Sequence, residues 1–388
     1  MKAIITYKPD SQKIPGAIRE ALTTDVLRDI CQRITKQQGY IVREDTSSYN
    51  KGRLVIVEYN HIRSYVTLSE KKYEGRNSSI QSVPTALNIF WKDTYSNKQL
   101  CYYFLEHTGN AFTDYHVFMY RLMATAGMHF INSSQYFSEL ITPFHSVDEL
   151  IYSKRILRQS KKSNNSTYIT KTSNAVQIYA KVYGASKYES TLLAFATSQI
   201  THKTIDLFNI RERDLIRLPK PSLDTLSSLN IRFHDTPLYF EIKHQNETQS
   251  LDLRSSAYIY NLLNRIGDKR CVLCGCPVQE IVQGAHIWNV ADIKKSNLQE
   301  SEKFKAATNG NNGIWLCQNH HKLFDANLIM IDHSGFLRLP SDLDNYNKTF
   351  IRDITTETHL EKSIMSEEFI QYLDLRNTSV DLSHSITI

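Results

Sequence analysis

The chain has 388 residues, of which 41% are hydrophobic and 22% are charged. This length predicts two or three domains rather than one compact core. No apolar run is long enough to span a membrane, and the first residues lack a signal-peptide core, so we expect a soluble cytoplasmic protein. Its six cysteines are too few for a disulfide scaffold, and four of them cluster between positions 271 and 317, which favours metal binding in a reducing compartment.

The net charge of +6 is unevenly distributed along the chain. Residues 1–250 contain 32 lysines and arginines against 23 acidic residues, whereas the remainder contains 14 against 17. A polyanionic partner bound mainly by the first part would explain this surplus, because lysine and arginine contacts to phosphates provide most of the sequence-independent affinity for nucleic acid. A solvated basic surface would have the same composition.

Periodicity in residues 1–250 predicts a mixed α+β region. Helical spacing of apolar residues occurs over 14–33, with a break near Thr23 and Thr24, and again over 116–128 and 192–199. Alternating or apolar runs typical of strands occur at 39–43, 53–59, 64–69, 175–179 and 181–184. Residues 86–144 are rich in aromatic side chains, which we interpret as core. The isolated Cys31 and Cys101 lie in apolar surroundings and are also assigned to the core.

Two polar segments of this region are candidate DNA contacts. Residues 71–82 combine bases, amides and hydroxyls, the side chains that contact phosphates and base edges. The residues proposed to bind DNA there are Lys71, Lys72, Arg76, Asn77 and Gln81. A plain surface loop has a similar composition. The second segment, 154–171, is basic and polar and is interpreted as a linker or flexible loop that could subdivide the region.

A possible nuclease signature near the end of this region is weak. Asp235 precedes Glu241-Ile-Lys243 on a strand-like run, an order that resembles the PD-(D/E)xK nucleases, in which carboxylates hold Mg²⁺. The interval is very short, however, and Glu-x-Lys is common on exposed strands. We therefore do not assign the catalytic site to it.

The chemistry-bearing stretch follows a helix predicted over 256–265. Cys271 and Cys274 are two residues apart and are followed by Gly275, as in a zinc knuckle, and Cys317 and His320 repeat the short gap about forty residues later. This spacing predicts a closed Cys3His site that holds a structural zinc ion. Cys276 could replace Cys274, but the two-residue gap favours Cys274.

Between and after these ligands the order is strand, long loop, strand, helix. Gly284-Ala-His286-Ile ends the first strand, Asn312 begins the second, and His321 and Asp325 lie on the helix. This combination resembles the HNH (ββα-metal) endonuclease family, in particular a subgroup frequent among restriction-type nucleases that carry a zinc knuckle. The resemblance covers about residues 265–340.

The resemblance implies a role for each matching residue. His286 corresponds to the general base that deprotonates the attacking water, and Asn312 to the asparagine that orients this base. His321 corresponds to the helical ligand of a catalytic divalent ion, Mg²⁺ with Mn²⁺ or Ni²⁺ as possible substitutes. Asp325 is four residues later, on the same helix face, and could share that ion.

The chain departs from the family pattern at Ala285. Many members have an acidic residue or a histidine immediately before the base, and this residue binds the metal. Alanine cannot do so, which leaves open whether Asp325, Asp292 or a water completes the coordination shell.

The sequence as a whole predicts an α+β protein in which residues 1–250 recognise DNA and dimerise, 251–345 form a zinc-stabilised HNH nuclease domain and 346–388 form a C-terminal extension. A hairpin is expected over 328–339, within the nuclease domain, and a helix over 366–375, within the extension. The expected function is that of a prokaryotic type II restriction endonuclease, a homodimer that cuts double-stranded DNA. The alternatives are an HNH nuclease for modified or phage DNA, and an inactive zinc-stabilised DNA-binding protein.

Overall fold

A computed structural model describes residues 2–9, 22–46, 54–68, 83–104, 114–131, 141–159, 167–181, 186–211, 220–237, 256–380 and 382–388. The chain divides into two compact units. The first comprises 1–169, 174–209 and 216–234, and the second comprises 170–173, 210–215 and 235–388. Both helices and mixed sheets are present, which confirms the predicted α+β class. Within the described ranges, no helix is both long and apolar enough to span a lipid bilayer.

The helices and strands before residue 238 follow the predicted α+β pattern. In chain order they are β1 Ala3–Tyr7, α1 Thr24–Thr35, β2 Tyr40–Glu44, β3 Leu54–Tyr59, β4 Ile62–Leu68, α2 Val83–Lys92, β5 Lys98–Tyr103, α3 Asp114–Thr125, β6 Met128–Phe130, α4 Val147–Gln159, β7 Thr167–Lys171, β8 Ala175–Lys181, α5 Ser186–Ile200, β9 Thr204–Arg211, α6 Lys220–Ser228 and β10 Arg232–Pro237. Of the helix expected over 14–33, residues 14–21 lie outside the described part of the chain. Helix α1 begins after Thr23, whose hydroxyl accepts a hydrogen bond from the backbone N–H of Val26.

Two sheets are formed by the described strands of this part of the chain. One has the order β2-β1-β3-β4-β5-β6 and the other β10-β9-β8-β7. In the first sheet, alternate residues of β3 and β4 enter different cores: Leu54 and Tyr65 pack with α2 and α3, whereas Val55 and Val66 pack with α1. Because both faces are buried at β3, its sequence is apolar from Leu54 to Val57. Cys31 and Cys101 are buried as expected.

The segment predicted as a linker begins inside helix α4, which continues to Gln159. Lys154, the first base of that segment, is only 2% exposed, and its Nζ lies 2.6 Å from Glu189 Oε1. The same carboxylate accepts a hydrogen bond from the Tyr115 hydroxyl at 3.1 Å. A buried lysine needs such a partner, so Lys154 is part of the core and not a base that follows a DNA backbone.

The second unit contains the stretch with the cysteines and histidines. Its elements are α7 Ser256–Arg265, β11 Val282–His286, α8 Val290–Lys295, α9 Glu300–Thr308, a 3₁₀ turn Gly310–Asn312, β12 Gly313–Cys317, α10 Gln318–Asp325, β13 Met330–Ile331, β14 Leu337–Pro340, α11 Asn345–Ile354, α12 Glu367–Asn377 and β15 Ser385–Thr387. The helices predicted over 256–265 and 366–375 and the hairpin of β13 and β14 are confirmed.

Residues 346–388 pack closely against the rest of this unit. Strand β15 pairs with β14, and Glu368, in the first turn of α12, accepts hydrogen bonds from the side-chain amides of Asn309 and Asn311 at 2.6 and 2.7 Å. The Ser366 hydroxyl donates to Asn311 Oδ1 at 2.8 Å. Helix α12 therefore holds the turn that leads into β12.

Candidate active site and metal centre

Strands β11 and β12 form an antiparallel pair in which Val282 lies opposite Cys317 and His286 lies opposite Gly313. Every residue of β12 is buried, and helix α10 follows it directly. This ββα unit carries four residues of the predicted sites. His286 ends the first strand, Asn312 directly precedes the second, and His320 and His321 lie on the helix.

The predicted structural metal ligands converge in the structure. The ligand atoms of Cys271, Cys274, Cys317 and His320 all lie within 4.8 Å of one another. His320 Nδ1 is 3.5 Å from Cys271 Sγ and 3.2 Å from Cys317 Sγ, and the Cys274 and Cys317 sulfurs are 3.9 Å apart. A tetrahedral zinc ion with bonds of about 2.3 Å to sulfur and 2.0 Å to nitrogen requires separations of about 3.5 to 3.8 Å. The four side chains therefore fit such an ion.

The turn between the first two cysteines is closed by backbone hydrogen bonds. The Gly275 N–H donates to Cys271 O at 2.8 Å, and the Cys271 N–H donates to Cys276 O at 3.0 Å. Gly275 has a φ of +65°, a conformation that favours glycine. Cys276 is not among the converging ligands, in agreement with the preference for Cys274.

A hydrogen bond outside the cluster fixes the tautomer of His320. The Thr355 hydroxyl donates to Ile351 O at 2.6 Å, so its oxygen can accept the N–H of His320 Nε2, which lies 3.1 Å away. The lone pair of the neutral ring is then on Nδ1, which faces the sulfurs. Burial raises the pKa of the Cys271 and Cys274 thiols and lowers that of His320. Cation binding would therefore replace the thiol protons.

The predicted base, His286, is buried and held on two sides. Its Nε2 donates to the carbonyl of Ala307 at 2.8 Å, and because a carbonyl only accepts, Nε2 carries the proton in the neutral ring. Nδ1 is then the nitrogen with the lone pair. The ring also stacks on Tyr258, with centroids 4.0 Å apart and planes 11° apart. This arrangement fixes both the tautomer and the orientation that proton abstraction requires.

Tyr258, on α7, was not identified from the sequence. Its hydroxyl donates to Ala285 O at 3.0 Å, and its ring lies so close to β12 that a Cβ at position 313 would be 2.1 Å from the Tyr258 oxygen. Gly313 therefore allows Tyr258 to reach the strand and support His286. A tyrosine in an amphipathic helix is usually assigned to the core, so no local signal distinguished this one.

Asn312 binds backbone groups around the base. Its side-chain oxygen accepts from the Trp288 N–H at 2.8 Å, and its Nδ2 donates to Trp288 O and Ala306 O, each at 3.1 Å. These bonds fix the backbone of Trp288, two residues after His286. They also fix the carbonyl of Ala306, which is adjacent to the Ala307 carbonyl that accepts from His286. Asn312 contacts His286 indirectly, through the backbone of Trp288 and of the last turn of α9. This geometry is consistent with the orienting role predicted for Asn312.

The helical ligands predicted for a catalytic ion share one face of α10. His321 Nε2 lies 3.5 Å from Asp325 Oδ2, with the histidine buried and the carboxylate half-exposed. Among the described residues, no set of three or more histidine, cysteine or acidic side chains converges apart from the Cys3His cluster. His321 and Asp325 therefore offer two protein ligands, and water and the phosphate oxygens would complete the shell of a bound cation.

Asp292, another candidate for the ligand missing at Ala285, is bonded within its own helix. The alanine is fully buried. Asp292 lies in the first turn of helix α8, where its Oδ2 accepts a hydrogen bond from Asn289 Nδ2 at 2.5 Å and its backbone N–H is capped by Asn289 Oδ1. Asp292 thus has a local structural role.

The proposed DNA-contact residues Lys71, Lys72, Arg76, Asn77 and Gln81 lie outside the described residues, as do Glu241 and Lys243 of the weaker nuclease signature. Asp235 is described and exposed on β10.

The comparisons agree with this geometry. Residues 271–332 match a family model described as HNH endonuclease, from the first cysteine of the cluster to just beyond β13. A search of curated proteins found no match. An HNH domain implies a nuclease that binds DNA and uses divalent metal ions. The chain thus carries, at residues 271–332, a domain of the HNH endonuclease family.

Proposed function

We propose that the protein is a sequence-specific, metal-dependent endonuclease that cuts double-stranded DNA, of the type II restriction class. The observation that carries this proposal is the position of His286, which stands at the end of β11 in the HNH domain with its Nε2 proton donated to Ala307 O. This hydrogen bond leaves Nδ1 as the basic nitrogen.

In the proposed reaction, His286 Nδ1 takes a proton from the water that attacks the scissile phosphorus. Tyr258 and Asn312 keep the ring and its backbone acceptor in place during this transfer. The products are a 5′-phosphate and a 3′-hydroxyl. His321 and Asp325 would hold a divalent ion, Mg²⁺ in our proposal with Mn²⁺ or Ni²⁺ as substitutes, and this ion would stabilise the negative charge that develops during the reaction.

The Cys3His cluster is proposed to hold a structural zinc ion. Cys271, Cys274, Cys317 and His320 would fill all four positions of a tetrahedral ion, so none would remain for a substrate.

Residues 1–250 are proposed to recognise the DNA sequence and to form a homodimer, because a symmetric pair of active sites can cut both strands of a symmetric site. The basic surplus in this part of the sequence supports a role in DNA binding.

A second candidate is a zinc-stabilised DNA-binding protein without nuclease activity. It is favoured by Ala285, since the position that often supplies a metal ligand in the family is a buried alanine here. This candidate predicts binding of DNA without cleavage in Mg²⁺, Mn²⁺ and Ni²⁺.

The deciding experiment is digestion of a mapped plasmid by the full chain, with each of the three ions and with a chelator, on unmodified and methylated DNA. We expect discrete fragments from unmodified DNA, only when a divalent ion is present. Cleavage of methylated DNA alone would favour the nuclease for modified DNA. Binding without cleavage under all conditions would favour the second candidate.

The role of His286 is tested by His286→Ala. Loss of the base should lower the cleavage rate by about 100-fold or more, while zinc content and the unfolding temperature stay near those of the native protein. A variant that folds, keeps its zinc and cleaves at the native rate would refute this role.

A further inference from the structure

Arg376, in the last turn of α12, is a buried cation in the HNH unit. It is 5% exposed and lies 44 residues beyond the end of the family match at position 332. A buried guanidinium must find acceptors, because its transfer from water is otherwise very unfavourable. The hydrogen-bond acceptors of Arg376 lie beside the two parts of the candidate active site, the end of β11 and the end of α10.

One plane of N–H donors bridges a strand end and a helix end. Arg376 Nη1 donates to Ile287 O at 3.2 Å, and Nη2 donates to Phe324 O at 2.5 Å and to Asn327 Oδ1 at 2.7 Å. Ile287 directly follows the proposed base and Phe324 directly precedes the proposed metal ligand Asp325. Each end of this bridge is thus one residue from a proposed active-site residue, His286 at one end and Asp325 at the other.

The guanidinium is further fixed by its surroundings. Its central carbon lies 3.7 Å from the centroid of the Phe324 ring, a cation–π contact that also limits rotation. Phe324 O belongs to the last turn of α10, where the helix dipole favours a positive charge. Burial lowers the pKa of Arg376 to about 10, against the opposing effect of the negative charges of Asp325 and Asp292. The group therefore stays charged at neutral pH.

We propose that Arg376 is a positioning residue of the nuclease, which sets the separation between the strand end that carries His286 and the helix end that carries Asp325. This inference rests on the proposed function. Arg376 does not contact the phosphate, because its side chain is buried and its donors point to the protein backbone and to Asn327.

Arg376→Lys tests the bridge separately from the charge. Lysine keeps the positive charge but has a single ammonium group, which cannot span Ile287 O and Phe324 O or stack flat on the ring. A displacement of about 1 Å between catalytic groups can cost about 100-fold in rate. We therefore expect kcat to fall by about 10- to 100-fold, with KM and zinc content unchanged.

The control is Arg338→Lys, which changes another partly buried arginine of the same unit, bonded to Asp332 Oδ2 at 2.9 Å. It should cleave within about twofold of the native rate, as expected for a change away from the site. Arg376→Met, which removes the charge, should lower kcat at least as much as the lysine variant. If the methionine variant fails to fold, the lysine variant decides.

Hydrogen exchange of residues 284–292 and 322–329 provides a readout that needs no substrate. Arg376→Lys should accelerate exchange in both segments and leave the turn at 309–312, held by Glu368, unchanged. Native cleavage by a folded Arg376→Lys variant overturns the proposal, as does loss of its zinc or of cooperative unfolding, which would show a global role. Absence of cleavage by the native protein would instead refute the proposed function, and the exchange data would still report on the bridge.

Discussion

At the scale of single residues, the candidate site depends on one close approach. The Tyr258 ring can lie against His286 and β12 because position 313 has no side chain, so the orientation of the proposed base depends on a glycine that performs no chemistry. A side chain at 313 would push Tyr258 away, and His286 would lose the ring on which it rests.

We therefore predict that Gly313→Ala destabilises the protein by about 1 to 3 kcal/mol through overpacking and lowers kcat more than KM. Thermal unfolding and cleavage kinetics measure the two effects. Gly39→Ala is the matched control, because a Cβ at Gly39 would meet nothing within 4 Å. Equal behaviour of the two variants would contradict the close approach.

At the scale of elements, a zinc ion would join the cysteine turn to the start of α10. The turn contributes Cys271 and Cys274, and the junction of β12 with α10 contributes the other two ligands. No described disulfide joins these segments, since all six cysteines are free. A bound cation would therefore be the strongest local link between them.

This geometry predicts different outcomes for two neighbouring cysteines. Cys274→Ser should lose most of the zinc and unfold at a lower temperature, because it removes a ligand that points to the cluster. Cys276→Ser should keep one zinc per chain, since Cys276 does not converge with the others. Metal analysis together with thermal unfolding tests this pair, and zinc loss from Cys276→Ser alone would mean that the ligand is misassigned.

Local sequence patterns predicted these elements well. The span of α7 follows from its apolar spacing, and the cysteine spacing identified all four converging ligands. The support of the base could not be predicted in this way, because the bonds of Tyr258 to Ala285 and of Arg376 to Ile287 join residues 27 and 89 positions apart. Such contacts depend on how the elements pack, and neither residue type nor spacing indicates them.

At the scale of the whole molecule, the charge is divided unevenly between the two parts of the sequence. The positive surplus lies in residues 1–250, while the part that holds the HNH domain carries a slight negative surplus. In a nuclease organised in this way, most contacts that provide affinity for DNA lie away from the scissile phosphate. A variant that cannot cleave would then still bind, so affinity and cleavage can be measured separately.

We predict that the His286→Ala variant binds DNA with an affinity that falls by about 10³- to 10⁵-fold between 50 and 200 mM salt, as for proteins with about 6 to 10 phosphate contacts. Further replacement of Lys71 and Lys72 by Gln should reduce the slope of log K against log salt by about two. Lys348→Gln, in α11, is the control. An unchanged slope in the double variant would refute the DNA contact assigned to residues 71–82.

The adjacent histidines of α10 have a geometric consequence. One residue advances an α-helix by about 100°, so His320 and His321 point in directions about 100° apart, one toward the cysteines and the other toward Asp325. A short helix can roll about its own axis with little change in its backbone. A zinc ion bound to His320 would remove this freedom and would thereby set the direction in which His321 and Asp325 point. The structural zinc ion, although it takes no part in the reaction, would thus orient the two ligands of the catalytic ion.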